Sequence, residues 1–218
     1  SKRMQKYLQK LHPTCFEDLV ILNCMYRPGP MEYISTLIKQ KHSKKEVKYM
    51  IPCMEKYLHN TYGIIVYQEQ IMILSRLIAN FDRGESDLLR KALGKRKMDV
   101  LSVLKPRFIE GGIKNGHKKN ALEKVWSEME RKGIYAFNKS HAAAYAFVSY
   151  QTAWLKCHYP CELLAATLTS VLDSSAKVSN YIAEASRLGI RVLAPSVNSS
   201  FEGFTVKNGT IRFGLLAI

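Results

Sequence analysis

Between Arg90 and Lys97, five of eight side chains are cations: Arg90, Lys91, Lys95, Arg96 and Lys97. On a helix through Ser86–Gly94, Asp87, Arg90, Lys91 and Gly94 recur at i, i+3, i+4 and i+7, opposite an apolar stripe of Leu88, Leu89, Ala92 and Leu93. Arg90 and Lys91 then point away from the core together, and Lys95, Arg96 and Lys97 extend the positive surface. Such a group offers a triphosphate both charge and bidentate donors. It also suits a plainer role: cations complement the negative end of a helix, Gly94 can close that helix, and Asp87 can pair with Lys91. Residue types alone favour the plainer role.

A second cluster, Phe137-Asn138-Lys139-Ser140-His141, opens a helix that continues with Ala142-Ala143-Ala144, small residues that permit close approach. The first N–H groups of a helix can receive an anion, with Lys139, Ser140 and His141 adding charge and hydrogen bonds. Asn138 equally fits a simple N-cap. Arg27, in the rigid Arg27-Pro28-Gly29-Pro30 bend, is a weaker phosphate contact, and Gln68 and Gln70 are weaker base-edge readers. Cys157 and Cys161 flank His158 without the partner pair that a structural zinc needs. The aspartates, Asp18, Asp82, Asp87, Asp99 and Asp173, are scattered, so the chain has no DxD motif for two-metal phosphoryl transfer, and it has no Walker loop. No catalytic residue is assigned within the chain.

The elements that must hold these groups are mostly helical. Apolar spacing predicts helices over 3–11, from the Thr14-Cys15-Phe16-Glu17 capping box to about Tyr26, from near Met31, and over 68–80. Further helices are expected over 85–93, 98–114, 118–131, 139–158, 161–172 and 176–188, with breaks at Gly94, Gly116, Gly133, Pro160 and Gly189. From about residue 190 the pattern turns β-like, at Ile190–Leu193, Phe204–Val206 and Ile211–Phe213, with Lys207-Asn208-Gly209-Thr210 as a hairpin turn. The fold class is therefore mainly α: a helical domain over 1–189 and the start of a small β-containing subdomain over 190–218.

Of the 218 residues, 47% are hydrophobic, enough for a packed core. The formal charge of +15 points to a polyanionic partner, nucleic acid ahead of a membrane surface. Residues 1–160 carry 28 Lys and Arg against 14 Asp and Glu, whereas 161–218 carry 5 against 4, so the polyanion should meet the first part. Five cysteines without a CxxC pair fit free thiols in a reducing cytoplasm. No stretch reads as a signal peptide or a membrane span. Ser1 and the apolar run ending at Ile218 suggest an excised fragment.

Several uncommon blocks stand in one order: Tyr26–Pro30, Thr61–Gln70, Leu88–Lys95, Phe137–Ala142, Ser149–Lys156, His158–Pro160, Arg187–Ile190 and Ile211–Leu215. Together they resemble the C-family DNA polymerases, the bacterial polymerase III alpha subunits, over essentially the whole chain. The resemblance implies the helical fingers region, which contacts incoming deoxynucleoside triphosphate and primer-template DNA in DNA replication. It implies that Arg90 and Lys91 hold the triphosphate; Lys95, Asn138, Lys139, Ser140 and His141 are the further nucleotide-binding candidates, and Arg96 and Lys97 join Arg27, Gln68 and Gln70 as weaker DNA or phosphate contacts. It also implies Mg2+ held by palm aspartates outside this chain, a fragment inactive alone, a bacterial cytoplasmic location, and contacts to the rest of the alpha subunit and, through it, to other replisome subunits. Two positions depart from the family pattern. Lys91 stands where many relatives have a second arginine, losing the planar fork. Ala136 stands where many have glycine, which restricts the loop if that glycine uses positive φ. The alternative is a non-enzymatic helical module that binds nucleic acid by backbone charge.

Overall fold

The computed structural model describes residues 2–43 and 46–218. They form two compact units, 1–146 and 147–218. The first contains α1 (Lys2–Leu11), α2 (Phe16–Met25), α3 (Ile34–His42), the single turn α4 (Glu55–Leu58), α5 (Gln68–Ala79), α6 (Arg83–Lys95), α7 (Met98–Lys114), α8 (Lys119–Gly133) and the start of α9 (Lys139–His158). The second contains the rest of α9, then α10 (Pro160–Thr169), α11 (Ser175–Arg187), β1 (Val192–Leu193), β2 (Thr205–Lys207) and β3 (Thr210–Arg212).

Two cores organise the first unit. Around one, α5, α6, α7 and α8 bury Ile71, Leu74, Leu89, Leu93, Phe108 and Trp126, with the Phe108 and Trp126 rings 5.4 Å apart. Around the other, α1, α2 and α3 close over Ile64, Val66 and Tyr67 and over Ala142 and Ala146 of α9. Of the three alanines singled out in the sequence, Ala142 is buried in that core and Ala143 packs on it, whereas Ala144 is exposed; Ala146, one turn beyond Ala142, completes the contact.

Close approach also explains Gly111 in α7. A Cβ there would lie 2.1 Å from the Ala79 carbonyl oxygen at the end of α5. From the same helix Arg107 Nη1 donates to Ala79 O at 3.2 Å, and Asn115 Nδ2 donates to Ile78 O at 2.9 Å. Carbonyls that the end of α5 leaves unpaired are thus satisfied by α7.

Local endings differ from the sequence expectation: α3 starts at Ile34, α8 runs through Gly133 and α10 ends at Thr169, and at α2 and α6 the cause is visible. α2 begins after Cys15, not Thr14, because buried Asp18 accepts hydrogen bonds from the Thr14 and Cys15 N–H groups. α6 runs through Gly94 to Lys95, and Arg96 takes the left-handed conformation, φ 52°, that closes it. The start of α6 is a capping box the sequence reading passed over: Asp82 accepts from Glu85 N–H at 2.7 Å and Glu85 accepts from Asp82 N–H at 2.9 Å.

In the second unit the strands order β1-β3-β2, with β1 parallel and β2 antiparallel to β3. Asn208 and Gly209 both have positive φ, 51° and 69°, as the tight β2–β3 hairpin requires. α10 and α11 pack on this sheet through Leu164, Leu168, Val178 and Ala185 against Phe204 and Ile211. The change at residue 190 is therefore a change of secondary structure inside the second unit. Among the described residues, no helix is long and apolar enough to cross a membrane.

Candidate functional site

Two helix beginnings are tied side by side in the first unit. Tyr67, just before α5, and Phe137, before α9, form an isolated parallel bridge. Gln68 N–H donates to Phe137 O at 2.9 Å, and Phe137 N–H donates to Val66 O at 2.9 Å. The Gln68 side chain extends this junction: its Nε2 donates to Ala136 O at 3.3 Å, and its Oε1 accepts from Arg90 Nη1 at 3.3 Å. Gln68 thereby links Arg90 on α6 to the 137–141 segment. Ala136 is buried and has no positive φ, so the turn forms without glycine.

On α6, Leu89, Ala92 and Leu93 face the core, as the stripe predicts. Leu88 does not; it is exposed, because the buried arc of α6 is too narrow to include it. Arg90 and Lys91 share one carboxylate: Arg90 Nη2 and Lys91 Nζ each lie 2.7 Å from Asp87. Hydrogen bonds from Lys91, then Arg90, hold the Asp87 carboxyl below the usual carboxylate range. The Asp87–Lys91 pair follows from its i, i+4 spacing; the added Asp87–Arg90 contact fixes the guanidinium toward Gln68. Lys95, Arg96 and Lys97 are exposed, and the described residues offer them no ion pair.

At the start of α9 the cap predicted for Asn138 forms, with Oδ1 accepting from His141 N–H at 2.8 Å. The first-turn amides are less available than the sequence suggests. Glu69 accepts the Lys139 N–H on both carboxylate oxygens at 3.2 Å, and Asn138 Nδ2 donates to it at 3.3 Å. Lys139 Nζ is 2.9 Å from Glu17 and 5.1 Å from the Tyr67 ring centroid. Tyr67 donates its hydroxyl to the same Glu17 at 2.8 Å, and burial first, then Glu17, pushes its pKa up. Ser140 and His141 stay exposed, the His141 ring lying 5.3 Å from Phe137 and 4.7 Å from Tyr145.

Two weaker candidates turn inward. Gln70 is 6% exposed: its Oε1 accepts from Val66 and Tyr67 N–H, and its Nε2 donates to Tyr57 O and Thr61 Oγ1. That corrects its expected role as a base-edge reader, since both ends of its amide are engaged within the fold. Arg27 donates to Cys24 O and Tyr135 O and lies 4.5 Å over the Phe137 ring, which makes it a brace for the 135–137 turn; burial draws its pKa down. Glu17 and Glu69 were missed by sequence reasoning. Their partners lie too far along the chain for any local spacing to signal them.

The result is a surface where Arg90, Gln68 and the Asn138–His141 turn adjoin, with uncompensated cations at Lys95, Arg96 and Lys97. Its Arg90 guanidinium is held in place by Asp87 and Gln68, a geometry that suits bidentate donation to an anion. The carboxylates nearby are occupied by these cations and amides. Among the described residues no group of three or more His, Cys, Asp or Glu side chains could hold a metal ion.

Comparison with known proteins gives this geometry a family. A profile for the bacterial DNA polymerase III alpha subunit finger domain matches residues 1–116. The whole chain is 42% identical to DNA polymerase III subunit alpha of Aquifex aeolicus, covering 19% of that protein. It is 44% identical to the same subunit of Treponema pallidum, again 19% of it, and 43% identical to that of Bacillus subtilis, 20% of it. The chain thus spans about one fifth of the length of these relatives. With the finger-domain profile covering more than half its residues, the chain belongs to the bacterial DNA polymerase III alpha subunit family.

Proposed function

We propose that this chain is the nucleotide-gripping segment of a polymerase III alpha subunit, binding incoming deoxynucleoside triphosphate beside primer-template DNA. The observation that carries the reading is the Gln68 bridge: its side chain joins Arg90 to Ala136 O, just ahead of the 137–141 segment in which Ser140 and His141 are exposed. On approach, the triphosphate competes with Asp87 for Arg90 and Lys91 and gains Lys95 and the exposed side chains. Charge that builds on the phosphates during attack of the primer 3′-oxygen is then offset by groups already in place. Lys91 contributes charge without a planar fork, so Arg90 supplies the directional contact.

The carboxylates among the described residues do not cluster for a catalytic Mg2+ pair, so the metal would be held by other parts of the longer polypeptide. The rest of that subunit, and through it other replisome subunits in the bacterial cytoplasm, are the implied partners.

Binding to the full-length subunit with primer-template in place tests the reading. Affinity should fall steeply from nucleoside triphosphate to diphosphate to monophosphate, and Arg90→Ala should flatten that gradient. An identical gradient in the variant removes Arg90 from the site. A module acting by backbone charge alone would bind DNA with steep salt dependence and show no competition by mononucleotide.

A further inference from the structure

A second cationic surface lies on α1, which packs on the other core of the first unit from α6. Its sequence, KRMQKYLQKL, contains no acidic residue. Met4, Tyr7, Leu8 and Leu11 pack on the core, while Arg3, Lys6 and Lys10 are exposed along one side and line a shallow groove with the half-buried Tyr7. The described residues give none of these three cations an ion pair. Glu17 and Asp18, the carboxylates nearest in sequence, are held by Lys139 and Lys41.

Helix stability does not account for this arrangement. Only Lys10 lies in the last turn, where a cation complements the helix dipole; Arg3 stands in the first turn, where positive charge opposes it and no acid compensates. Arg3, Lys6 and Lys10 repel one another at i, i+3 and i+7 without an intervening carboxylate. A surface arranged against its own helix fits an external polyanion. Arg3 and Lys10 are separated by about 10 Å of helix rise, a length over which a nucleic-acid strand presents several phosphates. Tyr7 sits among the cations with its ring fixed edge-on to Tyr26, 6.1 Å away, and supplies the aromatic surface found in strand-binding grooves. The last turn of α3 adjoins the end of α1, with His42 Nε2 2.9 Å from Lys10 O, and it adds one more exposed cation, Lys39.

We propose that the α1 face formed by Arg3, Lys6, Tyr7 and Lys10 binds the phosphodiester backbone of a DNA strand, as a contact separate from the nucleotide site. The inference rests on the reading that the full-length subunit holds primer-template DNA. The test is the salt dependence of DNA affinity for that subunit, parental and with Arg3→Gln, Lys6→Gln and Lys10→Gln combined. Each lost phosphate contact lowers the slope of log K against log salt by about 0.9 on duplex and about 0.7 on single strands. The triple variant should therefore lose about 2.7 on duplex or about 2.1 on a single strand, which also identifies the kind of strand bound. Lys6→Gln alone should lose one third of that, and the charge-keeping Arg3→Lys, Lys6→Arg, Lys10→Arg variant should retain the parental slope. A parental slope in both Gln variants overturns the proposal. A parental subunit without salt-dependent DNA binding overturns the underlying reading as well.

Discussion

Asp18 shows how one residue can organise several segments. It is 1% exposed, yet it accepts from Thr14 and Cys15 N–H, from the Tyr62 hydroxyl at 2.8 Å and from Lys41. Burial alone would raise its pKa, but donation by Lys41, Thr14 and Tyr62 outweighs burial and brings it down to about 2. The stabilisation is fully present above the unfolded value, about 3.9, and is lost as pH falls through about 2. Asp18→Asn leaves Lys41 buried without its charge partner and should cost about 3–5 kcal/mol, read by denaturant unfolding at neutral pH. The variant should also lose most of the parental decline in stability between pH 4 and 2. A neutral-pH stability equal to the parent would show that the pair is replaceable by water. The same scale separates the two glutamines: Gln68 and Gln70 are adjacent in type and spacing, and only the fold shows that one bridges Arg90 while the other is sealed inside.

Helices were legible because apolar spacing is a local property. The 68–80, 98–114 and 139–158 readings match α5, α7 and α9 closely, and the Asn-Gly hairpin forms where its backbone chemistry predicts. The exact ends were less legible. Asp18 rather than Thr14 organises the start of α2, and Arg96 rather than Gly94 closes α6, since either ending satisfies local propensity and tertiary packing decides between them. The junction that builds the candidate site, Tyr67 against Phe137, joins residues seventy positions apart and leaves no periodic trace. Helix crossing is equally hidden until Gly111 is seen against Ala79 O. Gly111→Ala should destabilise the first unit by about 1–3 kcal/mol through overpacking, measured as a fall in thermal or denaturant midpoint. An unchanged midpoint would mean that α7 shifts away from α5 without loss. Asn138→Ala should cost about 0.5–2 kcal/mol as a lost cap, with the smaller values expected if Glu69 alone holds the start of α9.

For the molecule as a whole, charge follows the division into units. Residues 1–146 hold 27 Lys and Arg against 14 Asp and Glu, and residues 147–218 hold 6 against 4. The net positive charge therefore lies on the first unit, where two cationic surfaces rest on two separate cores: α6 beside Gln68, and α1. Composition disclosed the charge but not its partition between the two surfaces, which depends on which cations the fold leaves without an ion pair. Single-turnover nucleotide incorporation by the full-length subunit, parental and Arg90→Ala, on one primer-template tests the central claim most directly. Loss of one charge-assisted contact of about 1.5–3 kcal/mol corresponds to an apparent nucleotide Kd raised about 10- to 150-fold, with DNA affinity at its parental value. An Arg90→Ala subunit that incorporates nucleotide with parental concentration dependence and rate would contradict the account.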